Sequence, residues 1–507
     1  MTGISIPHRV ALGVILGLVP LLAAAEPSAP VTIDSGAVQG VVAGEVIHFY
    51  GIPFAAPPVG ELRWRAPTPV KPWQETLVAD KFGHDCMQNV REGGSPWPHR
   101  EPPPAEDCLY LNVWAPADAA PGAKLPVMVW IYGGGFQIGS SATILFDGTG
   151  FAKRGLVMVS FNYRLNKFGF FAHPALTKES PDAPLGNYAV LDQIAALQWV
   201  RRNIAGFGGD PGDVTIFGES AGAMSVQYLM TSPLAKGLFN KAIAESGFGR
   251  FPLQSFAEAE AKGKAVAESW GVTADDPAAL RAVPAEKVLG DTTMSRNGFW
   301  PMIDGRIIPE QTMAAFEGGH VARVPFLVGS NSYEIGLFPM LAKGVAERMA
   351  AVWPKVETLY DGFGPRQIGV IETQIQTDLM LTEPTRALAR AAARDGMPTY
   401  VYYYSYVNPS LRGKFPGAPH FWEVPAVFAT MDAIEPHPEP ATPRVVEAMN
   451  SRWAQFARSG TPDGWPAFTA DDEAWLEFSG DGPIVRRDLM KGQLDFAESH
   501  QAAPKTN

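Results

Sequence analysis

Val214-Thr215-Ile216-Phe217-Gly218-Glu219-Ser220-Ala221-Gly222-Ala223-Met224-Ser225 is the stretch from which the rest of the chain can be read. Its β-branched and aromatic start predicts a short strand over 214–217, which breaks at Gly218 and gives way to a helical pattern just past Ser220. The result is G-x-S-x-G between a strand and a helix, the form of a nucleophile elbow. Only small residues fit beside a serine on so tight a turn, and glycine tolerates both the strained backbone and the close approach of strand to helix. The hydroxyl is then expected at the strand's carboxyl end, above a helix N-terminus whose N–H groups and dipole favour developing negative charge. A chain with 51 glycines can produce this pattern by chance. Its meaning therefore depends on what else the chain supplies.

Outward from the elbow, strands and helices alternate. Leu125 to Tyr132 is a continuous apolar run that predicts a strand buried on both faces, ending in Gly133-Gly134-Gly135-Phe136. Leu109 to Trp114, Leu156 to Tyr163, Lys241 to Ser246, Val324 to Gly329 and Thr399 to Val407 read as further strands. Val190, Leu191, Ile194, Leu197, Val200 and Ile204 recur at helical spacing, with Gly206 as the stop. The Ala- and Glu-rich stretches 255–295 and 340–397 read as helices outside the sheet. Such alternation predicts an α/β fold with a large, mostly parallel central sheet flanked by helices.

The 507 residues are 46% apolar and 18% charged, as in a globular chain, and the formal net charge of −11 argues against nucleic acid or an anionic membrane as partner. His8 and Arg9, the apolar run Val10 to Leu22 and then Ala23-Ala24-Ala25 read as a secretory signal peptide cut after Ala25. The run is too short to favour a membrane span. The expected organisation is a signal peptide over 1–25, a single domain over 26–500 and a loose tail over 501–507, in a secreted or periplasmic protein without stable membrane association after cleavage. In that setting Cys86 and Cys108, the two cysteines of the chain, read as one disulfide, worth roughly 3 kcal/mol. Without a cluster of other ligands they do not make a zinc site. The chain holds no N-x-S/T acceptor, since Asn408-Pro409-Ser410 is excluded by its proline, which favours a bacterial source over a glycosylated animal one.

A serine nucleophile needs a base, an acid to orient the base, and donors for the oxyanion. On an α/β sheet of this kind the chain order is Ser, acid, His. Of the nine histidines, His8, His48, His84, His99 and His173 precede Ser220. His320 precedes the best acid, His437 sits among prolines and His500 lies in the tail. His420, on a loop after the strand 399–407, fits by order and placement. Glu334 lies just past the carboxyl end of the strand 324–329, where open α/β sheets build their sites. Asp304 is the rival acid, although its Asp304-Gly305 pair looks like turn chemistry. Gly133-Gly134-Gly135, directly after a buried strand, leaves backbone N–H groups unobstructed for an oxyanion.

Four separate stretches resemble the type-B carboxylesterases, the cholinesterase-related branch of the α/β-hydrolases. They are Gly51-Ile52-Pro53 with Pro57-Pro58-Val59-Gly60-Glu61-Leu62-Arg63, Glu106-Asp107-Cys108-Leu109-Tyr110-Leu111-Asn112-Val113, Trp130 to Phe136, and Phe217 to Gly222. Their order matches the family and the likeness spans nearly the whole mature chain. The resemblance implies an α/β-hydrolase fold over 26–500 with helical insertions over the active site, and a triad of Ser220, His420 and Glu334. It implies an oxyanion hole from the N–H groups of Gly134, Gly135 and Ala221, and a supporting serine, Ser246, near the acid, with Glu219 beside the nucleophile. It further implies a Cys86–Cys108 bridge and ion pairs Arg63–Glu106 and Arg164–Asp192. One departure stands out: Ile335 intervenes between the acid and Gly336, where the family usually places glycine directly after the acid.

The expected activity is hydrolysis of small-molecule carboxylic esters through an acyl-enzyme, with no metal or organic cofactor. Choline-ester enzymes of this family present a tryptophan within the matching disulfide loop. Here Trp97 stands between Pro96 and Pro98 and reads as a loop anchor, so neutral short- to medium-chain esters are expected over choline esters. Alternatives are carbamate or amide hydrolysis or choline-ester hydrolysis on the same machinery, and a binding protein with a vestigial site. Non-catalytic adhesion relatives have lost the nucleophile, which this chain retains.

Overall fold

Seven strands run parallel through the middle of one sheet, and the elbow ends the third of them. The structure, a computed structural model, describes residues 26–89, 102–180, 186–290, 298–360, 367–435 and 437–501. The expected signal peptide, Trp97, His99 and residues 502–507 lie outside these.

Among the described residues the main sheet has twelve strands. In chain order they are β1 (Glu26–Pro27), β2 (Val41–Ala43), β3 (Val46–Pro53), β4 (Tyr110–Pro116), β5 (Leu125–Ile131), β6 (Val157–Phe161), β7 (Gly209–Glu219), β8 (Lys241–Glu245), β9 (Phe326–Asn331), β10 (Thr399–Tyr404), β11 (Ala474–Ser479) and β12 (Gly482–Arg487). Their order in space is β1-β2-β3-β4-β6-β5-β7-β8-β9-β10-β11-β12. From β6 to β11 every pairing is parallel. Antiparallel strands close both edges. This is the large, mostly parallel sheet of the α/β-hydrolase fold.

The principal helices are α1 (Tyr188–Asn203), α2 (Ala221–Thr231), α3 (Ile368–Thr377), α4 (Glu383–Arg394), α5 (Ala441–Ser459) and α6 (Lys491–Ser499). They cover both faces, which is why β5 reads Val127-Met128-Val129-Trp130-Ile131 with every residue buried. No helix of the described residues is long and apolar enough to cross a membrane. The Cys86–Cys108 disulfide is formed. Arg63 grips Glu106 with bonds of 2.6 and 2.5 Å, and Arg164 grips Asp192 with bonds of 2.8 and 2.7 Å.

The sheet's register sets out the site. Glu219, at the end of β7, pairs with Glu245, at the end of β8; Glu245 pairs with Gly329 on β9, and Gly329 with Tyr402 on β10. In-register parallel neighbours point to the same face, so this row brings two carboxylates and a phenol to one end of the sheet. Gly329 must lack a side chain, because a Cβ there would run into the Tyr402 ring. The strand of the acid is displaced by two residues from its expected span and ends at Asn331, which leaves Glu334 one short turn beyond it.

Candidate active site

Ser220 starts α2 with φ 57° and ψ −121°, a backbone conformation costly for any L-residue with a side chain. The surrounding packing holds it there. Its N–H donates to Glu245 O at 2.9 Å, and its own carbonyl accepts the Met224 N–H at 2.9 Å. A Cβ at Gly218 would lie 2.5 Å from Ile131 O, and one at Gly222 would overlap that same carbonyl. The end of β5 thus presses on the elbow from one side. A Cβ on Gly133 would meet Ser220 Cβ at 2.9 Å, so the glycine loop after β5 faces the serine directly.

Gly134 and Gly135 both have positive φ, 100° and 62°. The Gly134 carbonyl accepts the N–H groups of Gln137 and Ile138 at 3.2 Å each, which closes the loop on itself. The N–H groups of Gly134, Gly135 and Ala221 have no hydrogen-bond partner among the described residues. Ser220 itself is partly exposed.

His420 and Glu334 meet across the loops that follow β10 and β9. Nδ1 of His420 lies 2.6 Å from Glu334 Oε2, and both side chains are buried. Glu334 Oε1 accepts the Asn331 N–H at 2.6 Å. A carboxylate at Nδ1 selects the tautomer that carries its proton there and leaves Nε2 as the basic nitrogen. Nε2 faces Glu219 Oε1 at 3.0 Å, and no hydrogen bond joins His420 to Ser220 Oγ among the described residues. The Phe248 and Phe338 rings stand edge-on to the imidazole at 6.0 and 5.9 Å.

Four buried glutamates, Glu219, Glu245, Glu334 and Glu423, converge here. Burial pushes the Glu219 and Glu245 carboxyls well above the ordinary range, with Glu423 adding to each. Burial, reinforced by the Glu334 charge, lifts Glu423 to about 7. For His420, burial works against the cation, but Glu219, Glu334 and Glu423 outweigh it and raise the imidazole to about 9.

Other sequence candidates fall elsewhere. Asp304 is a turn residue: its Oδ1 accepts the N–H groups of Arg306, Ile307 and Ile308, and its Oδ2 accepts from Asn187. His320 pairs with Glu310 on the surface, and His500 stacks on Phe496. Ser246, expected near the acid, donates through its hydroxyl to Glu423 Oε1 at 3.2 Å and through its N–H to Gly329 O on β9. Ile335, the departure after the acid, is buried, and its N–H donates to Thr377 Oγ1 at 3.2 Å, so α3 holds this turn. The sequence reading missed Glu245, Glu423 and Asn331 as site residues. Their signals were present but faint: Glu245 ends a strand as Glu219 does, Glu423 lies one turn past His420, and Asn331 stands three residues before Glu334.

Residues 27–357 and 367–497 match the family model described as the carboxylesterase family. The chain is 36% identical over 483 residues to the fumonisin B1 esterase of Sphingopyxis macrogoltabida, covering 89% of this chain and 87% of that protein. It is 34% identical over 476 residues to the para-nitrobenzyl esterase of Bacillus subtilis, covering 86% and 92%. The solved carboxylesterase of Geobacillus stearothermophilus superposes with a TM-score of 0.77 at 32% identity, over 92% of this chain and 99% of that one.

Proposed function

The chain belongs to the carboxylesterase family, and from that premise we propose that Ser220, His420 and Glu334 are the triad with which it hydrolyses carboxylic esters. The observation that carries the assignment is the buried 2.6 Å contact between His420 Nδ1 and Glu334 Oε2, opposite a serine on a strained elbow. His420 Nε2 leaves Glu219 Oε1 and takes the Ser220 proton as Oγ attacks the ester carbonyl. Glu334 holds the imidazole in orientation and stabilises its cation. The N–H groups of Gly134, Gly135 and Ala221 receive the oxyanion. His420 returns the proton to the departing alkoxide, leaving the acyl group on Ser220. Water, deprotonated by the same nitrogen, then releases the acid.

Neutral esters of short to medium chain length are the proposed substrates. Support comes from the Phe248 and Phe338 rings beside the base, and from Phe136, which follows the glycine loop and meets Trp300 edge-on, with Phe251 tilted against Trp300. Comparing kcat/KM for a thiocholine ester and a neutral thioester of the same acyl group tests this. Neutral preference is expected, and a ten-fold preference for the cation would overturn it. The enzyme is proposed to work outside the cytoplasm after loss of residues 1–25, consistent with its Cys86–Cys108 bond. Exported protein should begin near Glu26; material still starting at Met1 would refute the cleavage. The triad itself is tested by Ser220→Ala, which should remove several orders of magnitude of rate from a protein that still folds.

A further inference from the structure

Asn331 closes β9, three residues before Glu334, and is fully buried. It makes three connections that nothing in the triad assignment uses. Its main-chain N–H donates to Glu334 Oε1 at 2.6 Å. Its side-chain amide nitrogen donates to Pro419 O at 3.0 Å and also to Glu423 Oε2. Pro419 O can only accept, so the amide must present its nitrogen there, and the same nitrogen donates to Glu423. Pro419 directly precedes His420, and Glu423 follows it by one turn. One side chain therefore holds the base's loop on both sides of the histidine, while the same residue's backbone holds the acid.

The remaining ties between the two loops lie on one side only. Tyr333 N–H donates to Ala418 O, Ala418 N–H to Ser332 Oγ, and His420 N–H to Glu334 O at 3.4 Å. The Glu423 side is joined to the acid's strand by Asn331. Asn331 itself is anchored in the sheet opposite Tyr404, which makes it a rigid reference for both loops.

We propose that Asn331 is a positioning residue that sets the Glu334–His420 geometry, and that an amide donor is required at this position. The inference rests on the Ser220–His420–Glu334 reading. Displacing a catalytic group by about 1 Å can cost on the order of a hundred-fold in rate, so loss of the amide should lower kcat by about 10- to 100-fold with little change in KM.

The test compares Asn331→Asp, Asn331→Ala and Asn331→Ser with wild type and with Glu334→Ala. For each, thermal melting, kcat and KM on p-nitrophenyl acetate, and the rate at which a phosphonate labels Ser220 are measured. Asp preserves the shape but abolishes the amide and sets a second carboxyl against Glu423. The proposal expects Asp to be no better than Ala in kcat and in labelling rate, with Ser, which keeps one donor, above both. A residue that merely fills space would give the reverse, with Asp close to wild type. Should Asp not fold, the Ser-over-Ala order in kcat carries the same decision. Folded Asp, or Ala where Asp does not fold, within two-fold of wild type in kcat would overturn the inference, as would a loss confined to KM. If Glu334→Ala is itself unimpaired, the triad reading falls instead; if Glu334→Ala is crippled and the Asn331 variants are not, only the inference falls.

Discussion

His420 carries a carboxylate at each ring nitrogen, Glu334 at Nδ1 and Glu219 at Nε2. The first is a hydrogen-bonded contact of the kind the proposed general base needs, and the second is an approach of charge alone, since Glu219 Oε1 accepts no hydrogen bond among the described residues. The imidazole is raised to about 9 against its burial, with Glu219 the largest of the charges responsible. A base must be deprotonated to act, so a raised pKa moves the acid limb of kcat/KM upward in pH. Glu219→Gln keeps the shape and removes the charge, so the limb should shift to lower pH. The pH profile of the variant checks this, and an unchanged or higher midpoint would contradict the electrostatic account. At this scale the sequence was informative where chain order constrains chemistry. The proposed roles of Ser220 and His420 follow from motif and order, and that of Glu334 from its place past a strand. The approach of Glu219 to Nε2 could not, since adjacency to Ser220 says nothing of where a side chain points after so sharp a turn.

The elbow is an element whose two glycines share one nearest neighbour, the carbonyl of Ile131 at the end of β5. A methyl group on Gly222 would overlap backbone on one side and is held by backbone on the other, so neither can yield cheaply. Gly222→Ala should lower the melting temperature by several degrees, in keeping with the ~1–3 kcal/mol of an overpacked site, and should depress activity as Ser220 moves. A stable, fully active variant would show that the strand end is not packed as described. A second element, the π-helical turn Asp378–Thr382 between α3 and α4, holds a buried carboxyl. Burial raises Asp378 to about 7, against the hydrogen bonds from Tyr360 and Gln374 and the charge of Arg386. Because the folded value exceeds the unfolded 3.8, its contribution is fully present below about pH 3.8 and is lost as pH rises to about 7. Asp378→Asn removes that loss, so its melting temperature relative to wild type should improve between pH 5 and pH 8; a constant difference would contradict the assignment. The parallel strands were legible because both-sided burial leaves continuous apolar runs. The hairpin of β11 and β12 was not, because β12 is a charged edge whose Arg486 and Arg487 turn to Glu477 and Asp472 instead of to the core. Nor was the π-helical turn, because Pro384, two residues past it, reads equally well as the start of an ordinary helix.

Across the whole molecule, the four stretches that resembled the family turn out to be its joints: the disulfide loop, the Arg63–Glu106 pair, the glycine loop and the elbow. They were readable because each requires particular residue types at fixed spacing. The buried glutamate cluster was not, because it is assembled from the ends of separate strands and loops by sheet register. The disulfide closes a separation of 22 residues, so replacing both Cys86 and Cys108 by Ser should cost about 3 kcal/mol in denaturant unfolding, with activity retained while the protein stays folded. A cost near zero would mean that the Arg63–Glu106 and neighbouring contacts already order the loop. The central claim is that Ser220 carries the acyl group through turnover. Mixing the enzyme with excess p-nitrophenyl acetate, quenching in acid within the first turnovers and mapping the adduct by peptide mass spectrometry tests it most directly. The account predicts one acetyl group, on the peptide containing Ser220, and none in Ser220→Ala. An acyl group on any other residue, or steady turnover by Ser220→Ala at the wild-type rate, would contradict it.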